Sequence, residues 1–103
     1  MTNISVEELK QRMDAGEKIH LLDVRQPEET AEYNIGGIAF PLGKIQRMQT
    51  EDIENLKEEE VICYCRSGNR SGTAALFLEQ LGFKNVKNLT GGMVAWKEML
   101  LID

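Results

Sequence analysis

Short apolar runs alternate with segments of helical periodicity along this chain. Near the start, Ser5 and Glu8 have the spacing of a capping box, and apolar side chains recur at helical intervals behind them, which predicts a first helix at residues 5–14. Four short and largely apolar runs have the length of strands in a parallel sheet. They are residues 19–24, 38–40, 61–64 and 86–89.

The segments between these runs predict further helices. Pro27 is tolerated in a first helical turn and favours a short helix that extends toward Tyr33. Residues 44–57 suit one or two short surface helices, and a longer helix is expected to follow the run at 61–64 and to stop at Gly82. The apolar face of that longer helix consists of Ala74, Phe77, Leu78 and Leu81.

A last helix is predicted at residues 93–101, after a turn made by two glycines. Val94, Trp96 and Leu100 are expected to dock this helix, with Trp96 in the core. The acidic run at residues 58–60 is expected to be a solvated turn, since charge runs stay in water.

This order of strands and helices predicts the fold class. Strands that alternate with helices pair in parallel through right-handed crossovers, so we expect an α/β fold with a central parallel sheet of about five strands and helices on both faces. A length of 103 residues predicts a single domain over residues 1–103. Ligands of such sheets bind beyond the carboxyl ends of the strands. Cys65 stands at such an end.

Composition and charge narrow the class of protein. Apolar residues make up 42% and charged residues 28%, a balance typical of a folded soluble protein. We find no apolar stretch of membrane-spanning length and no secretory signal, so we expect a cytoplasmic protein that does not bind a membrane. A net charge of −5 disfavours nucleic-acid binding, whereas the pair Arg66 and Arg70 suits one small anion.

The loop after the run at 61–64 carries the candidate chemistry. Cys65 is the candidate catalytic nucleophile, and a thiol with an ordinary pKa of about 8.5 needs a stabilised thiolate to react at neutral pH. Inward-facing amides, the start of the following helix and two arginines are available for this. The candidate substrate- or anion-binding residues are Arg66, Ser67, Gly68, Asn69, Arg70 and Ser71.

Three local expectations complete this interpretation of the loop. Gly68 permits a backbone conformation in which several amides point inward, and Ser71 is a reasonable N-cap for the following helix. The sulfur of Cys65 is also expected to be accessible from solvent, because a thiol that a substrate cannot reach cannot react.

Other interpretations of the sulfur-bearing and imidazole side chains carry less weight. Cys63 lies within the predicted strand and is expected to be a small buried hydrophobe. His20, the single histidine, lies in another predicted strand, with nothing beside it that favours a Cys-His pair. Two cysteines one residue apart give neither a structural zinc site nor a useful disulfide, so no metal and no cofactor is expected.

With the loop in view, the chain resembles the rhodanese-like sulfurtransferase domain in its single-domain form. Residues 65–71 match the family's C-R-x-G-x-R-[ST] loop in full. Three further segments are similar to family motifs in the same order: Leu22-Asp23-Val24-Arg25 with Pro27-Glu28-Glu29, Phe40-Pro41-Leu42, and Leu89-Thr90-Gly91-Gly92 with Ala95-Trp96. One segment departs from the pattern: Tyr33-Asn34-Ile35-Gly36-Gly37-Ile38 stands where the family has G-H-I-x-G-A.

The resemblance implies a two-step sulfur transfer. The Cys65 thiolate would take the outer sulfur of a donor such as thiosulfate or a persulfide and pass it to cyanide or a thiol, with a protein acceptor as a further partner. Backbone amides and an arginine would stabilise the persulfide and hold an anionic donor. Independently of the resemblance, the position of Cys63 two residues before Cys65 makes it a candidate to resolve the persulfide as an internal disulfide.

Two rival functions stay open at this point. A cysteine phosphatase or arsenate reductase uses C-x5-R, which would put arginine at position 71, but that residue is Ser71 and the arginine is Arg70. The shorter loop favours a ring sized for sulfur rather than phosphate. A non-catalytic or sulfur-carrier interaction module is the other alternative, and the intact cysteine loop favours catalysis over it.

Overall fold

A computed structural model describes residues 1–102 of the chain, and its centre is a five-stranded sheet. The strands are β1 (Thr2–Ile4), β2 (His20–Asp23), β3 (Ile38–Ala39), β4 (Glu60–Tyr64) and β5 (Asn85–Leu89). They lie in the order β1-β5-β4-β2-β3, and every neighbouring pair is parallel. The predicted α/β class with a parallel sheet is confirmed.

Helices cover both faces of this sheet. They are α1 (Val6–Asp14), α2 (Pro27–Glu32), α3 (Leu42–Gln46), a 3₁₀ helix (Glu51–Leu56), α4 (Asn69–Gln80) and α5 (Gly92–Ile102). α1 and α5 pack on one face, while α3, the 3₁₀ helix and α4 pack on the other. Among residues 1–102, none of the helices has the length and apolar character that a membrane crossing requires.

Side-chain alternation along the central strand β4 divides the core in two. Val61 and Cys63 face the layer that contains α4, whereas Ile62 and Tyr64 face the layer that contains α1 and α5. All four are fully buried, as a strand with helices on both sides requires. The chain therefore leaves β4 with its next residue, Cys65, at the carboxyl edge of the most buried strand.

The first strand and the docking face of α5 differ from the sequence-based expectations. β1 was not among the predicted runs, because Thr2-Asn3-Ile4 is short and mostly polar and is recognisable only through its pairing with β5. Trp96 is in the core with 6% of its surface exposed, as predicted, but Val94 and Leu100 are each 41% exposed. The helix docks instead through Met93, Trp96 and Met99, whose spacing of three residues keeps them on one face.

One further expectation about local structure is wrong, and another holds for Glu58 and Glu59 but not for Glu60. α4 begins at Asn69 after Gly68, which has φ +101°, so Ser71 lies inside the first turn and is not the N-cap. A left-handed glycine starts the helix three residues earlier than predicted and leaves the serine hydroxyl for other partners. Glu60 is not part of a solvated turn either: it begins β4 and pairs with Arg12 and with Lys87, the latter at 2.6 Å.

Candidate active site

The loop after β4 wraps around the sulfur of Cys65. The backbone N–H groups of Gly68 and Ser71 point at Sγ from 3.1 and 3.4 Å, and the Ser71 hydroxyl oxygen lies 3.4 Å from it. Three donors converge on one atom because the chain turns sharply at Gly68 and enters α4 at once. This is a concave nest of donors, an arrangement suited to an anion.

The same contacts set the ionisation of the thiol. Burial raises the pKa of Cys65, but hydrogen bonds from the Ser71 hydroxyl and from the backbone N–H groups of Ser71, Gly68 and Ser67 outweigh it. The net result is a pKa below the ordinary value for cysteine. The loop therefore favours the thiolate, which is the nucleophilic form.

Asn88, at the end of β5, supports the loop from the neighbouring strand. Its side-chain N–H donates to the carbonyl oxygen of Gly68 at 3.2 Å, and its Oδ1 accepts from the Ser71 hydroxyl. The Ser71 hydroxyl has one proton and lies within hydrogen-bond distance of both the Asn88 oxygen and the Cys65 sulfur. Asn88 thus holds the loop without contacting the sulfur itself.

Arg70 joins α4 to α2 through an ion pair. Its two terminal nitrogens lie 2.7 and 3.0 Å from the carboxylate oxygens of Glu29, a bidentate pair. This pairing lowers the pKa of Glu29 to about 2. Arg70, expected to hold an anionic donor, already has its guanidinium occupied by Glu29.

The remaining loop side chains face solvent. Arg66, Ser67 and Asn69 are exposed, and Arg66 lines a pocket of about 270 Å³ beside the loop. Tyr33 and Lys97 line the same pocket. Arg66 is therefore the loop arginine that remains open to a ligand.

The first turn of α5 is bonded directly to the loop. The N–H of Met93 donates to the Cys65 carbonyl and the N–H of Val94 donates to the Arg66 carbonyl, both at 2.9 Å. Helix and loop come this close only because Gly92 has no side chain, since a Cβ there would overlap both carbonyl oxygens. α5 fixes the loop backbone and also forms a wall of the pocket.

Comparison with known proteins identifies this arrangement. The model of the family described as "Rhodanese-like domain" matches residues 5–99. The chain belongs to the rhodanese-like domain family. The sequence motifs that resembled this family therefore lie within the range that the family model matches.

Individual relatives are named as sulfurtransferases. The chain is 37% identical over 97 residues to a sulfurtransferase of Allochromatium vinosum, an alignment that covers 93% of this chain and 88% of that protein. The human single-domain sulfurtransferase TSTD1 has a similar structure, with a TM-score of 0.80, 25% identity and coverage of 95% and 96% of the two chains. These relatives support a sulfurtransferase-type enzyme.

Other matches include a further solved structure and a longer protein. A rhodanese-like domain protein from Staphylococcus aureus superposes with a TM-score of 0.78 at 32% identity, and the alignment covers 93% of this chain and 91% of that one. YrkF of Bacillus subtilis is 39% identical over 94 residues, and the chain spans 49% of its length. The rhodanese-like domain thus also occurs within a longer relative.

The segment that departs from the family pattern keeps a structural role in this rhodanese-like domain. Asn34, in the place of the family's histidine, accepts hydrogen bonds from the N–H groups of Gly36 and Gly37 at 3.2 Å and from the Tyr64 hydroxyl. Gly37 in turn donates to the Tyr64 oxygen at 3.1 Å. The departure therefore anchors Tyr64, the residue immediately before Cys65.

Cys63 and His20 lie apart from the chemistry of the loop. Cys63 is completely buried, and burial together with the nearby Cys65 raises its pKa to about 12, which opposes a role in resolving a persulfide. His20 begins β2, whereas the Asp23 end of that strand is the one beside Tyr64, so the imidazole lies at the opposite end of the sheet from Cys65. Within residues 1–102, no three histidine, cysteine or acidic side chains are placed so that they could hold a metal ion together.

The expectation of an exposed sulfur is wrong for this arrangement of the loop. Cys65 is only 1% exposed, because the donors that lower its pKa also surround it. Access to Sγ therefore requires the loop or the pocket wall to shift.

Three supporting residues are not evident as such in the sequence. Asn88 pairs in register with Cys63, a relation between strands that are distant in sequence. Glu29 belongs to a segment similar to a family motif, but its pairing with Arg70 follows only from the approach of α2 to α4. Gly92 carried a signal, since it belongs to the family motif, but its steric role follows only from the approach of α5 to the loop.

Proposed function

We propose that the chain is a sulfurtransferase that moves a sulfane sulfur through a persulfide on Cys65. One observation carries the proposal: backbone N–H groups of Gly68 and Ser71 converge on the Cys65 sulfur and, with the Ser71 hydroxyl, lower its pKa. A donor set of this kind stabilises a sulfur anion and has no side chain to act as a protease-type base. Residues 1–103 would act as one domain.

In the first step, the Cys65 thiolate attacks the outer sulfur of a donor such as thiosulfate. A new sulfur–sulfur bond forms, the donor's own sulfur–sulfur bond breaks, and sulfite leaves with the bonding electron pair. The same loop donors then face the bound persulfide. Covalent storage on Cys65 divides one difficult exchange into two easier steps.

In the second step, a nucleophilic acceptor attacks the terminal sulfur of the persulfide. Attack by cyanide gives thiocyanate, and attack by a thiolate gives a persulfide of that acceptor. The electron pair of the broken sulfur–sulfur bond stays on Cys65 and regenerates its thiolate. The donors and acceptors are small molecules, and a protein sulfur acceptor is a further proposed partner. Because the reaction needs reduced thiols, we also propose a cytoplasmic location.

The loop must open for either step, since Cys65 is 1% exposed. Arg66, Ser67 and Gly68 follow it directly and lie between β4 and α4, and the first two are exposed. We expect this short segment to shift when the donor enters and to close again around the persulfide.

Mass spectrometry after incubation with thiosulfate tests the proposal. The reduced protein is expected to gain one sulfur atom, located on the peptide that contains Cys65 and removable by cyanide. A protein that gains no sulfur at any thiosulfate concentration, or that hydrolyses an aryl phosphate instead, would contradict it. Cys63, buried in the strand, is expected to stay unmodified and serves as an internal control.

A further inference from the structure

The pocket beside the loop contains charges that have no partner within the described chain. Two of its charged residues form salt bridges with residues that do not line the pocket: Arg25 pairs with Asp23 at 2.8 Å, and Glu29 pairs with Arg70. Three others line the pocket without a salt bridge in residues 1–102, namely the cations Arg66 and Lys97 and the carboxylate of Glu32. The net charge of these three unpaired side chains is therefore positive.

Lys97 is held over this pocket by the structure around it. It lies one helical turn after Met93 and Val94, whose amides bind the carbonyls of Cys65 and Arg66. Its ammonium nitrogen sits 4.4 Å from the centre of the Tyr33 ring, a cation–π contact between α5 and the segment after α2. An aromatic ring holds the ammonium in place without neutralising it, so the charge stays available to a ligand.

We infer that Arg66 and Lys97 bind an anionic group carried by the sulfur compound, and that Lys97 sets a preference for thiol acceptors bearing a carboxylate near the reacting sulfur. This inference rests on the proposed function and names its substrate class. In the step concerned, the thiolate of the acceptor attacks the terminal sulfur of the Cys65 persulfide. A persulfide of the acceptor forms, and the Cys65 thiolate is regenerated, so no further oxidant or reductant is required.

Three small thiols that differ chiefly in charge test this inference. They are 3-mercaptopropionate, which is anionic, 2-mercaptoethanol, which is neutral, and cysteamine, which is cationic. Protein loaded with sulfur and freed of thiosulfate is mixed with each thiol, and loss of the persulfide is followed against thiol concentration. Each thiol is compared with itself between variants, so differences in thiol pKa cancel.

Lys97→Gln is expected to weaken binding of the anionic thiol selectively. Its apparent Kd for 3-mercaptopropionate should rise about fivefold, the effect of one partly exposed ion pair, with the limiting rate unchanged. The neutral thiol should be unaffected. Glu32→Gln should act in the opposite direction, improving use of the anionic thiol and weakening use of cysteamine.

Lys18→Gln is the matched control, because Lys18 is exposed and lies outside the pocket. An equal change for all three thiols in Lys97→Gln, or no change for the anionic one, would overturn the inference while leaving sulfur transfer intact. Wild-type protein that cannot be loaded with sulfur would instead overturn the proposed function, and this inference with it.

Discussion

Cys65→Ser is expected to abolish formation of thiocyanate from thiosulfate and cyanide. A serine hydroxyl is not ionised near neutrality, and the loop offers amide donors but no base to deprotonate it. The substitution is nearly isosteric, so the fold should persist and the loss should lie in chemistry alone. Thiocyanate production by purified protein, with far-ultraviolet circular dichroism as the check on folding, measures this.

Cys63→Ser is the matched control for that experiment. Cys63 lies two residues earlier on the same strand, is fully buried, and has a pKa raised to about 12, so it is not expected to react. Most of the activity should remain, with a loss of stability of about 1 kcal/mol for a hydroxyl placed in an apolar layer. Activity in Cys65→Ser, or its loss in folded Cys63→Ser, would reverse the assignment of the nucleophile.

Gly92→Ala is expected to destabilise the protein and impair the loop together. An added Cβ would overlap the carbonyl oxygens of Cys65 and Arg66, and the residue also has φ +54°, which disfavours alanine. We expect the free energy of unfolding to fall by about 3 to 5 kcal/mol, since steric overlap with backbone adds to the conformational cost. Urea denaturation measures the fall, and sulfur loading measures the damage to the site.

Gly16→Ala separates the two costs. Gly16 has φ +77° but nothing within 4 Å of an added Cβ, so only the conformational cost of about 1 to 2 kcal/mol is expected there. Equal losses of stability in the two variants would show that α5 can move away from the loop without cost. That outcome would contradict the role given to the close contact of α5 with the loop.

The features that the sequence predicted correctly depend on local patterns. The run at 61–64 is β4, the capping-box serine Ser5 does accept from the N–H of Glu8 at 3.1 Å, and Gly82 follows the end of α4 with φ +102°. Each of these rests on side chains within a few positions of one another. The same holds for Cys65, whose position at a strand end follows from the run before it.

The features that sequence reasoning missed depend on contacts between distant segments. β1 is a strand only because β5 lies beside it, and Arg70 is occupied only because α2 brings Glu29 within 2.7 Å. The burial of Cys65 has a similar origin, since the turn at Gly68 and the early start of α4 close the ring of donors. The residue types predicted a loop that stabilises an anion. Only the three-dimensional structure shows which groups of the loop face the sulfur.

The ionisation of Cys65 tests the central claim most directly. The rate of alkylation of Cys65 by iodoacetamide, followed by mass spectrometry across a range of pH, reports the pKa of that thiol separately from Cys63. The ring of donors predicts a midpoint below the ordinary value of about 8.5 and a shift upward in Ser71→Ala, which removes one donor. A midpoint at or above the ordinary value in the wild-type protein would contradict the account.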